Sequence, residues 1–102
     1  MALTAASALA LPGCGERATQ APNTTVHATA ARAQAMITAG NQAFEAGEYT
    51  VAAKRYAAAA VSSPEDPAAF FGLGMALAKL GRDEEARAAY AKARELTRAQ
   101  QP

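Results

Sequence analysis

Tryptophan is absent, histidine and cysteine occur once each, and phenylalanine and tyrosine three times each in this chain of 102 residues. Each scarcity excludes something. A lone cysteine cannot form an intramolecular disulfide or supply a thiolate cluster for a metal. With His27 as the one imidazole, the sequence holds no Ser/His/Asp set, no metal-ligand cluster and no glycine-rich phosphate loop. Glu84 and Glu85 are neighbours, so on a helix their carboxylates point apart instead of converging as an acid–base pair. We therefore expect no enzymatic activity, no cofactor, and no catalytic or metal-binding residue. Net charge is also lacking: 10 basic and 9 acidic residues leave +1, mixed along the chain. Nucleic acid binding needs a basic stripe or patch, so no nucleic acid partner is expected. Large apolar side chains are few, because much of the 51% hydrophobic content is alanine. A chain this short buries only roughly 60–65% of its unfolded surface, and its core must be thin.

What is present begins with an uncharged stretch, "MALTAASALALPGCG", before the first ionisable side chains at Glu16 and Arg17. It falls short of the ~20 residues that span a bilayer. Pro12, Gly13 and Gly15 break it too abruptly for a core helix. Its length suits the apolar region of a secretory signal, typically ~7–15 residues and closed by small side chains. Within it, Leu11-Pro12-Gly13-Cys14 resembles the lipobox of bacterial lipoproteins. That resemblance implies that residues 1–13 are a signal peptide, cleaved before Cys14, and that Cys14 is the lipid attachment site, carrying palmitate-type acyl chains. Stable anchoring takes more than one chain, and lipoproteins of this kind carry two or three. Gly15, where an Asp would retain the protein in the inner membrane, mildly favours the outer membrane over the inner, with the domain facing the periplasm. No basic residue precedes Arg17, so we expect the reading frame to open upstream of Met1. Residues 14–27 are polar, Thr-rich and contain Pro22, the composition of a flexible tether.

The remainder repeats itself. "GNQAFEAGEYTVAAKRYAAAAVSSP" from Gly40 and "GMALAKLGRDEEARAAYAKARELTR" from Gly74 align at an offset of 34 residues. Gly40 meets Gly74, Gly47 meets Gly81, Ala52 meets Ala86, Tyr56 meets Tyr90, and Ala59 meets Ala93. Glycine inside a helix costs about 1 kcal/mol relative to alanine, so Gly40 and Gly74 point to close approach of a neighbouring helix. Tyr56 and Tyr90 would be the large counterparts, with Ala59 and Ala93 as small packing faces. Gly47 and Gly81 end helices by entering the left-handed region. Asp66 is placed to cap a helix beginning at Pro67, and Asp83 to cap the next. Helices are predicted near 28–46, 50–62, 67–80 and 83–98, with room for the first to begin earlier, since "VHATAARAQAM" has good helix formers and no breaker.

A helical pattern with this period resembles the tetratricopeptide repeat. The resemblance implies an all-α fold: two helix-turn-helix units, 28–66 and 67–100, forming a short right-handed α-solenoid behind a disordered or signal-like N-terminus. It further implies a concave groove lined by the first helix of each unit, here Ile37, Asn41, Phe44, Phe71 and Met75. Such a groove takes a protein or peptide. Three or more units are usually needed for stability, so either the 28–35 extension with Arg94 and Arg98 caps the stack or another chain completes it, and homodimerisation is a second expectation. The function expected is that of a membrane-anchored, non-catalytic protein-interaction scaffold or assembly factor in the bacterial cell envelope. The alternatives are a self-associating structural module, or a cytoplasmic adaptor with an incidental leader.

Overall fold

The computed structural model describes residues 21–102, with side chains from His27 onward; Cys14 and the stretch 1–13 lie outside them. Four helices follow in order: α1 (Ala21–Glu45), α2 (Tyr49–Ser62), α3 (Pro67–Lys79) and α4 (Asp83–Ala99). No strand occurs among the described residues. α1 starts at Ala21, so the last part of the stretch expected to be a tether, 14–27, is helical instead. The physical reason is local: Pro22 falls in the first turn, where its missing N–H breaks no hydrogen bond, and the residues after it contain no breaker.

The two hairpin turns are copies of each other. Gly47 has φ 80° and Gly81 has φ 77°, and an added Cβ would touch nothing at either, so backbone conformation alone requires glycine there. After each, the chain reaches back to the helix end: Glu48 N–H donates to the Ala43 carbonyl at 2.8 Å, and Arg82 N–H to the Leu77 carbonyl at 2.9 Å. This six-residue closure satisfies carbonyls that the helix leaves orphaned.

Between the units, Asp66 is extended and its carboxylate accepts from the Ala68 N–H at 2.9 Å, with Pro67 opening α3. α4 departs from the expectation. Its N-cap is Arg82, without a side-chain cap bond, and Asp83 is the first helical residue rather than the cap. Asp83, Glu84 and Glu85 then occupy the positive end of the helix dipole. Arg82 also grips Glu85 with two hydrogen bonds, of 2.8 and 2.7 Å. Both side chains are exposed, so that pair contributes little.

Packing runs chiefly between successive helices, with a small direct contact of α1 on α3. One core cluster joins three helices through Ile37, Ala43, Ala52, Tyr56, Ala59, Ala69 and Ala76. A second, of Leu77, Ala86 and Ala89 with Leu73 and Tyr90 against it, joins α3 to α4. Alanine dominates both, so the helices approach closely and one large side chain, Tyr56, fills the space between units.

Candidate functional site

Tyr56 organises the interior. Its ring abuts two helical glycines on different helices: a Cβ at Gly40 would sit 2.9 Å from it, and a Cβ at Gly72 only 2.3 Å. Gly74 repeats the arrangement against Tyr90, with a Cβ approach of 2.8 Å. Ala59 and Ala93 are buried beside their tyrosines' helices. Gly72 was not among the residues singled out by the repeat, because its counterpart one period earlier is Thr38. Its signal was simply a glycine inside a predicted helix.

The Tyr56 hydroxyl donates to the Asn41 side-chain oxygen. Burial, and secondarily the carboxylate of Glu45, raise the phenol above its ordinary value near 10. A raised native pKa means that the folded state holds the proton when the unfolded chain has released it. The stability this confers is complete below pH ~10 and is lost as pH rises through the native value. Tyr56→Phe should lower stability at pH 7 by about 0.5–1.5 kcal/mol through the lost hydrogen bond. It should also flatten the alkaline fall, measured by urea unfolding between pH 8 and roughly 11. Parallel alkaline curves for the two proteins would refute this.

The expected groove residues separate. Ile37 is 6% exposed and belongs to the core, so it is not a groove residue: α3 covers it. Asn41 is exposed and engaged by Tyr56. Phe44 is half-buried, its ring set edge-on to Tyr49 at 5.1 Å, and Lys79 Nζ stands 5.9 Å over the same Tyr49 ring. Met75 is half-buried. Phe71, at Ile37's place in the second unit, is 53% exposed.

Phe71 lines an open groove of about 470 Å³ together with Pro67, Ala68, Ala93, Arg94, Thr97 and Arg98. This groove lies between the start of α3 and the end of α4. Its floor is the Phe71 ring, tilted 60° against Tyr90 at 5.5 Å, and the alanines. The Thr97 hydroxyl donates to the Ala93 carbonyl of its own helix at 2.9 Å, which leaves the methyl free for apolar contact. Gln100 Nε2 donates to the Glu65 carbonyl at 2.6 Å and ties the end of α4 to the turn that opens α3. Arg94 and Arg98, one turn apart, have no ion-pair partner among the described residues. The lining thus offers apolar surface under positive charge and contains no carboxylate.

No group of His, Cys, Asp and Glu able to hold a metal occurs among the described residues. No described helix is long and apolar enough to cross a membrane. A tetratricopeptide repeat family model matches residues 37–101. No curated protein and no solved structure matches the chain. Two glycine-closed helical hairpins, stacked through a tyrosine and spanned by that match, establish that this chain belongs to the tetratricopeptide repeat family, a protein–protein interaction module.

Proposed function

We propose that this protein is a lipid-anchored, non-catalytic scaffold of the bacterial cell envelope that holds a partner protein on its second repeat unit. The binding half rests on the exposed Phe71 groove, an apolar surface that a small alanine-rich fold would otherwise bury. The anchoring half rests on the resemblance of Leu11-Pro12-Gly13-Cys14 to a lipobox, followed by a repeat domain with no membrane-crossing helix of its own among the described residues. Cys14 is the proposed acylation site, the domain faces the periplasm, and Gly15 favours the outer membrane.

Labelling with an alkyne fatty acid in a bacterial host tests the anchor, using the native upstream start if the genome provides one. The wild-type chain should incorporate label and lose residues 1–13, whereas Cys14→Ser should do neither. An uncleaved, unlabelled wild-type product would remove the anchor and leave a cytoplasmic adaptor.

A further inference from the structure

We propose that the α3–α4 end face binds an acidic helix with a small-residue face, stacked as α3 is stacked on the first unit; this deepens the reading of that face as the protein-binding surface.

The 34-residue equivalence supplies the argument. Phe71, Tyr90 and Ala93 occupy the places of Ile37, Tyr56 and Ala59. In the first unit all three are buried, and a helix covers them. That helix, α3, meets the first unit through Ala69, Gly72 and Ala76, with Gly72 directly on the Tyr56 ring. In the second unit Ala93 is buried as well, but Tyr90 is only half-buried and Phe71 is 53% exposed, and Phe71 and Ala93 line the open groove. Its shape therefore calls for a helix with alanine or glycine at the same spacing, able to lie flat on Tyr90 and Phe71.

Charge says how this occupant differs from α3. Where the first unit has Ala60 and Pro64, the second has Arg94 and Arg98. Like charges one helical turn apart repel, and neither arginine is compensated among the described residues. An occupant running in the direction of α3 brings its N-terminal half beside them. Carboxylates there would satisfy the arginines and the occupant's own helix dipole together.

A second copy of the chain does not fit this description. α2 and α3 contain no carboxylate, and α1 has only Glu45, its last residue. α4 is acidic at its start, but Ala86, Ala89 and Ala93 are buried, and its exposed pair Ala88 and Ala91 is followed by Glu95 where the third small residue is required. Pairing the face with itself would set arginine against arginine.

The test uses the full chain carrying Cys14→Ser, so that its outcome is independent of acylation. The probe is a fluorescent, helix-stapled peptide with Ala, Gly and Ala at the spacing of Ala69, Gly72 and Ala76, and glutamates flanking them in its first two turns. The control peptide carries lysines instead. Anisotropy should show the glutamate peptide binding more tightly by about tenfold or more, with affinity falling as salt is added. The double variant Arg94→Glu/Arg98→Glu should invert that preference, and Arg94→Gln/Arg98→Gln should abolish it, both with the unfolding curve of the parent. Failure of both peptides to bind, equal binding of the two, or a preference that survives charge reversal would each overturn the proposal. So would a dimer in sedimentation that Phe71→Asp dissolves, because the face would then belong to a second copy.

Discussion

Tyr56→Ala is expected to lower the unfolding free energy by about 3–5 kcal/mol, the range for deleting a fully buried aromatic ring. The residue is 1% exposed and is the only large side chain completely inside among the described residues. Its walls are the reason the cost belongs at the upper end. Glycines 40 and 72 abut the ring, so the backbone positions in contact with it carry no side chain to fill the vacated space. Such a loss is a large part of the total stability of a domain this small. Urea unfolding followed by far-UV circular dichroism should show it, with Tyr90→Ala as a milder control, since Tyr90 is only half-buried. A cost below about 1 kcal/mol for Tyr56→Ala would mean that the stack does not depend on this ring.

The second large effect comes from adding one methyl group. Gly72→Ala puts a Cβ 2.3 Å from Tyr56 Cε1, well inside contact distance. The ring has little room to shift, because Gly40 on α1 is also packed against its Cδ1–Cε1 edge and the residue is buried. Helix propensity favours alanine by about 1 kcal/mol, but overpacking of a closed site typically costs about 1–3 kcal/mol and in a pinned geometry more. We expect net destabilisation of about 1–2 kcal/mol. Gly74→Ala is the informative comparison. Its Cβ would approach Tyr90 at 2.8 Å, yet Tyr90 is only half-buried and can yield. Propensity should then prevail, leaving stability unchanged or slightly raised. Equal effects at the two glycines, read by the same urea titration, would contradict the pinning of Tyr56.

These two glycines also show where the sequence was readable. Gly74 stands on the repeat and pairs with Gly40, so alignment of the chain with itself finds it. Gly72 stands off the repeat opposite Thr38, and its role belongs to the junction between units, a contact that each unit makes only with its neighbour. The left-handed turns at Gly47 and Gly81 were legible because backbone conformation restricts the residue type. Asp66 and Pro67 were legible because an extended cap and a fixed φ suit helix entry. Asp83 misled because its first-turn position and a capping position differ by one residue, and acidic side chains favour both. Ile37 and Phe71 share a register position but not an environment. Periodicity assigns them one role, whereas burial depends on whether another helix lies on top. The arginines that distinguish the second face from the first fall at positions where the repeat pattern imposes no residue type.

The order of stacking has a consequence during synthesis. The chain emerges N-terminal end first, from the ribosome and, on the proposed route, on the side of the membrane where it folds. α1 and α2 can pair as soon as both are out, but the cover over Tyr56 and Ile37 arrives only with α3. Until α3 arrives, the first unit displays an exposed aromatic end much like the one the second unit retains. A helix that recognises the finished protein could therefore also engage this earlier surface, and the small Ala/Gly face of α3 must reach it first. Ala60 and Pro64, in place of arginines, give an acidic competitor no charge to hold there.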